Sequence, residues 1–169
     1  MMARLPDAQG TSATERVRSA LAERGLRVQI IEFPDSTRTA QEAARALSAT
    51  VAQIVKSLVF IADARPVLVL ASGANRVDVG KLARLMGATR VAKATAEETR
   101  KATGFSIGGV PPLGHLAALT VFLDETLLRH DVVYAAAGTP HAVFAVDPHG
   151  LARAAQAAVV DIAEVSAAL

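Results

Sequence analysis

Two apolar runs, Ile54 to Ala62 (IVKSLVFIA) and Pro66 to Ser72 (PVLVLAS), are separated only by Asp-Ala-Arg. Runs of this length, rich in β-branched residues and closed by turn residues, specify strands. So short a link specifies a hairpin. Neither run alternates cleanly between apolar and polar positions, so the hairpin must be covered on most sides by other elements. That requirement excludes a simple surface ribbon and asks the rest of the chain for cover.

The cover is legible on both sides. Ser12 caps a helix running to Arg24, with Gly25 as its stop. Val28 to Phe33 (VQIIEF) reads as a strand. Thr39 to Glu42 forms a capping box opening a helix to about Leu47, and Thr50 to Gln53 has the same form and opens a shorter one. Downstream, Val79 to Met86 has helical spacing and Gly87 ends it, "ATRVAKA" is a short strand, and a third capping box at Thr95 to Glu98 opens a helix ending at Gly104. Leu119 to Asp124, Val132 to Gly138 and His141 to Asp147 read as strands, the last two joined as a hairpin through Gly138-Thr139-Pro140. A final helix is expected over Pro148 to Ala157, followed by an edge strand in "VVDIAE".

Helices outside a sheet of recurring strands give an α/β (α+β) class. The expected architecture is one domain over residues 12–169, built on a mixed, curled or barrel-like β-sheet surrounded by helices, with residues 1–11 as a flexible tail.

The hydrophobic fraction is 51%, yet no apolar run approaches the roughly 18 to 20 residues of a membrane span. The first eleven residues lack a secretory pattern, so cytoplasm is the default location. Cysteine is absent, which removes disulfides, thiolate metal sites and cysteine nucleophiles together. The four histidines, His115, His130, His141 and His149, show no mutual i, i+4 spacing, so no metal site is expected from them. A net charge of +2 does not by itself point to nucleic acid. No Gly-x-Ser-x-Gly elbow, Walker loop or dinucleotide fingerprint occurs. Asp35, Asp78 and Asp124 stand at turns, where capping accounts for them.

Two features remain that could carry chemistry. Lys56 lies at a helix-to-strand junction where every neighbour except Ser57 is apolar. It either snorkels to solvent or points inward, where its compact charge would bind a phosphate or stabilise an oxyanion. The second is "GFSIGGVPPLGH", Gly104 to His115, in which Gly108 to Pro112 spells GxxxP. Such a loop is either a plain turn or a preorganised main-chain surface, because Gly108-Gly109 permit close approach while Pro111-Pro112 freeze the exit. His141, opening a strand after the hairpin turn, is open between a structural role and a place at a cleft rim.

Taken in order, "TAQEAARALSATVAQIVKSLVF", "VDVGKLARLMGA", "TGFSIGGVPPLGH" and "YAAAGTPHAVFAV" resemble the YbaK/prolyl-tRNA synthetase-associated family of trans-editing domains, over roughly Thr39 to Val160. The resemblance implies a deacylase acting in trans on the ester of a mischarged tRNA, typically tRNA(Pro) carrying a small wrong amino acid. It implies Lys56, Gly108 and Gly109 as the catalytic set. Ser57, Phe105, Val110, Pro111, Pro112 and His141 are the substrate-binding candidates, Phe105 being open between a stacking platform and a core residue. No cofactor is implied. The implied partners are the aminoacylated acceptor end of tRNA and prolyl-tRNA synthetase, with neither membrane nor DNA.

Cysteine-removing members carry a different turn at Thr139-Pro140-His141. The alanine-editing group places a His near His141 but Asn where Ser57 stands, so the chain sits in neither group. Two other readings stay open: a non-catalytic module binding tRNA ends or a small ligand, and an unrelated ester hydrolase using the same loop. With Gly109 read as part of the pocket wall, Gly109→Val is expected to reduce turnover more than stability.

Overall fold

The computed structural model describes residues 12–37 and 39–165. The tail expected over residues 1–11 lies outside them. At the centre is the expected hairpin: β2 (Val55–Ala62) pairs antiparallel with β3 (Arg65–Ser72) along its whole length, from Val55 opposite Ser72 to Ala62 opposite Arg65. Arg65 belongs to the strand, so the turn is only Asp63-Ala64, both at positive φ (45° and 72°). Two non-glycine residues in this region are strained. The Asp63 carboxylate offsets part of that by accepting the N–H groups of Thr89 and Arg90, each at 2.8 Å, and these bonds hold its pKa below the usual carboxylate value.

β3 gains a parallel neighbour in β5 (Thr120–Asp124), which is flanked in parallel by β8 (Ala158–Val160). On the other side, β4 (Val91–Lys93) pairs antiparallel with Phe60–Ala62 of β2. The large sheet therefore runs β4-β2-β3-β5-β8. A second sheet holds β1 (Ile30–Glu32), β7 (Ala142–Val146) and β6 (Val133–Ala136) in the order β1-β7-β6. A parallel bridge from Ile54 to Tyr134 joins them.

The expected barrel-like closure is corrected: both sheets are open. β4 and β8, three residues each, end the large sheet on opposite sides. Its centre is covered on both faces. On one face Val55, Val59, Leu68, Leu70 and Leu123 meet Phe144 and Val133 of the small sheet, Val17 and Leu21 of α1 (Ala13–Glu23) and Leu151 of α5 (Pro148–Ala154). On the other, Phe60, Val67, Val69 and Phe122 meet Ile162 and Leu82, the one buried residue of α3 (Val79–Met86). Each such side chain contributes about 1.5–3 kcal/mol by leaving water.

The caps form as their residues specify. Ser12 Oγ accepts Glu15 N–H at 3.1 Å, Thr39 Oγ1 accepts Glu42 N–H to start α2 (Ala40–Leu47), and Thr95 and Glu98 bond reciprocally to start α4 (Ala96–Thr103). The Thr50 box yields only a 3-10 turn, Val51–Gln53. The last helix stops at Ala154 rather than Ala157, because Gln156 turns to φ 51° and Ala157 N–H closes back on Ala152 O. A further 3-10 turn, Glu125–Arg129, follows β5 and is capped by Asp124.

Candidate functional site

β4 is too short to cover all of β2. Its last contact is Ala94 N–H on Val59 O at 2.9 Å, and from there to the Ile54–Tyr134 bridge the outer edge of β2 has no strand neighbour among the described residues. A cleft of about 360 Å³ occupies this gap. Its walls are Val55–Val59, the start of α2, Lys93-Ala94, Ile107, Gly108 and Val110, and Tyr134, Ala136 and Val143 of the small sheet.

Lys56 takes the inward placement. It is half-buried on the cleft wall, and its Nζ donates to Asn75 O at 2.5 Å. Burial is the main reason its pKa lies below the usual lysine value; the neighbouring Lys93 and Arg76 charges push the same way, while Asp124 opposes them. Ser57, next along the strand, also lines the cleft, with its hydroxyl buried and without a partner among the described residues.

The GxxxP loop divides between two tasks. Gly108, at φ +89°, and Val110 line the same cleft as Lys56. Gly109 does not line it: a Cβ built there would stand 2.7 Å from Thr139 Cα and 3.0 Å from Gly138 O, so the loop is seated on the turn between β6 and β7. Pro111 and Pro112 are buried, and Pro112 faces a separate hollow on the back of the loop. Phe105 is 3% exposed and belongs to the main core, with the Arg16 guanidinium 4.5 Å above its ring. That position withdraws it from base stacking. His141 is exposed at the hairpin turn and does not line the cleft. Of the nine residues singled out in the sequence, Lys56, Ser57, Gly108 and Val110 thus share one cavity.

His115 fixes the loop's exit. Its Nε2 lies 2.7 Å from Pro111 O, an acceptor only, so Nε2 carries the proton and donates. Burial is the main cause of its lowered pKa, partly opposed by this bond. The fold favours the neutral ring, so the unfolded chain binds more protons below the ordinary 6.5. Its contribution to stability is complete above 6.5 and is lost as pH falls through the lower folded value. We expect the thermal midpoint to drop between pH 7 and pH 5, and His115→Gln, which keeps a donor without a titrating ring, to flatten that slope in melts across this range.

Lys93, Thr99, Ile107 and Tyr134 also line the cleft and carry no local sequence signal. Lys93 is the second ammonium there. No carboxylate and no imidazole lines the cleft among the described residues, and no three His, Cys, Asp or Glu side chains gather there or elsewhere among them in a way that would hold a metal ion. The chemistry available is therefore positive charge, hydroxyls and main-chain groups.

Comparison with known proteins points one way. The aminoacyl-tRNA editing domain matches residues 34–154. A crystal structure of a candidate trans-editing enzyme for prolyl tRNA synthetase superposes with a TM-score of 0.86 at 49% identity, covering 90% of this chain and 98% of that one. Uncharacterized protein YwhH of Bacillus subtilis (strain 168) is 29% identical over 123 residues, 72% of this chain and 78% of YwhH. Proline–tRNA ligase of Nitratidesulfovibrio vulgaris (strain DP4) is 32% identical over 118 residues, 70% of this chain but only 19% of the ligase. The resemblance read from the four sequence segments is met. The chain belongs to the aminoacyl-tRNA editing domain family.

Proposed function

We propose that this protein is an aminoacyl-tRNA deacylase acting in trans, which hydrolyses the ester of tRNA carrying a small wrong amino acid, with tRNA(Pro) as the first candidate. The observation that carries this reading is the convergence of Lys56 with Gly108 and Val110 on one cleft. Its size lies within the roughly 300–1,000 Å³ of ordinary small-ligand sites, which suits an aminoacyl group with part of the terminal nucleotide. Residues Ile54, Val59, Ala94 and Val143 supply apolar wall for a small side chain.

In the reaction, water attacks the ester carbonyl carbon, negative charge gathers on the carbonyl oxygen, the bond to the ribose oxygen breaks, and the proton from water ends on that departing oxygen. Lys56, with Lys93 nearby, supplies positive charge for the oxyanion or for the terminal phosphate. The main chain at Gly108 orients the aminoacyl group. With no carboxylate or imidazole lining the cleft among the described residues, we assign proton transfer to the substrate, whose neighbouring ribose hydroxyl is suitably placed by its own covalent structure. An aminoacyl ester is already activated, so orientation and charge stabilisation suffice for a large part of the acceleration.

The reading implies aminoacylated tRNA as partner, cooperation with prolyl-tRNA synthetase, and action in the cytoplasm. The test is a panel of tRNA(Pro) charged with Cys, Ala, Ser or Thr, incubated with wild type and with Lys56→Ala. We expect wild type to deacylate at least one species and the variant to be severely impaired. Binding of tRNA without turnover of any species would favour the non-catalytic module instead, and undiminished activity of the variant would remove Lys56 from the mechanism.

A further inference from the structure

We infer that Asp124 and Asn75 are positioning residues that hold the Lys56 ammonium at the cleft. Asp124 closes β5 and is 1% exposed. Its Oδ1 accepts Thr126 N–H at 3.0 Å and Thr126 Oγ1–H at 2.8 Å, which is the expected cap of the following turn. Capping ends there. Its other oxygen, Oδ2, points back to the end of β3 and the segment after it, where it accepts Ser72 N–H at 3.1 Å and the Asn75 side-chain amide at 2.9 Å. The same amide also donates to Thr126 Oγ1 at 2.9 Å. Asn75 is thus fixed through its side chain by two acceptors, and its main-chain carbonyl, the group that receives Lys56 Nζ, is fixed with it.

A cap alone does not call for a carboxylate at this depth. Ser, Thr or Asn caps about as well, and a buried charge is costly unless opposed. The register supplies the reason for charge. Lys56 lies opposite Ala71, and with Leu70 opposite Leu123 in the parallel pair, Asp124 stands one residue further along beside Ala71. Lysine, small alanine and aspartate form one row across three strands. The other charges acting on Lys56 are Lys93 from β4 and Arg76 from the segment after β3, both cationic, so Asp124 is the anion that opposes them. Lys56 and Asp124 form no direct ion pair; the carboxylate acts through Asn75 and through space. In the sequence, Asp124 reads as a cap and Asn75 as nothing in particular, because the contact between them spans 49 positions.

The kinetic arm of the test rests on the deacylase reading; the spectroscopic arm does not. The chain has only four lysines, so in ¹³C-lysine-labelled protein the Cε of Lys56 can be followed through an alkaline titration and assigned with Lys56→Arg. We expect Asn75→Ala to lower kcat roughly 10- to 100-fold while KM changes by less than about threefold. In both Asp124→Asn and Asn75→Ala, the Lys56 midpoint should move to lower pH than in wild type. Asn75→Ala leaves the buried carboxylate in place, so it serves where Asp124→Asn does not fold. A wild type that deacylates no species overturns the proposed function and leaves the titration to decide the positioning role. A Lys56 midpoint unmoved in the folded variants, or a wild-type kcat for Asn75→Ala beside an active parent, overturns the inference itself.

Discussion

Lys56→Met is expected to reduce deacylation about 100- to 1,000-fold, the usual loss when one charge-stabilising donor is removed from an ester-hydrolysing site, while leaving the thermal midpoint unchanged or higher. The two halves come from the same geometry. The ammonium is half-buried, and Lys93 and Arg76 add repulsion that Asp124 only partly opposes, so its pKa is lowered and the folded state disfavours its charge. The sign follows from proton binding. Between the lowered folded value and the ordinary 10.5 the unfolded chain holds more protons, so stability rises with pH across that window. Methionine keeps the length and apolar stem without the charge. What the variant loses is the bond to Asn75 O, whose part-buried setting lets water replace the donor. Steady-state kcat/KM on the active mischarged species, beside calorimetric melts at neutral and alkaline pH, checks both halves. A midpoint that falls by many degrees would make Lys56 a structural residue, and near-wild-type turnover would end its catalytic assignment.

A charge that costs stability yet faces a cleft is the pattern expected where chemistry overrides packing. The sequence made Lys56 conspicuous because its neighbours are apolar, but could not aim it. Its direction depends on where β4 stops, which leaves the edge of β2 open, and on the carbonyl of Asn75. Both are matters of tertiary register. The same division holds for the fold. Helix starts at Ser12, Thr39 and Thr95 are readable because a cap and its partner lie three residues apart. The β2–β3 hairpin is readable because its halves are adjacent. The parallel pairing of β3 with β5 joins Val67 to Thr120, and the split into two open sheets depends on which faces helices and the second sheet cover. No local pattern encodes either.

The GxxxP loop illustrates a subtler limit, since its two glycines look equivalent in sequence and are not equivalent in space. We expect Gly109→Val to destabilise the protein by about 3 kcal/mol, a fall of roughly 6–12 °C in thermal midpoint for a chain of this size, with activity falling alongside it. Even the first carbon of a side chain at 109 would come within 2.7 Å of Thr139 Cα and 2.9 Å of its carbonyl carbon. Those are backbone atoms that cannot swing aside, so the loop must lift from the β6–β7 turn. Lifting it also strains the Ser106 O bond that Gly109 N–H makes at 2.9 Å and the Pro111 bond to His115. This geometry replaces the expectation that bulk at 109 mainly blocks substrate. Gly108→Ala provides the contrast. Position 108 faces the cleft at φ +89°, where an alanine costs about 1 kcal/mol in backbone strain, and the added methyl group alters the cleft surface that the proposed function assigns to the aminoacyl group. Its kcat/KM is expected to fall further than its midpoint would explain. Melting curves and deacylation rates for the two variants, measured together, separate seat from wall: a wild-type midpoint for Gly109→Val would show that the loop is not held on the hairpin turn, and a Gly108→Ala enzyme with unaltered kcat/KM would remove that residue from the substrate surface.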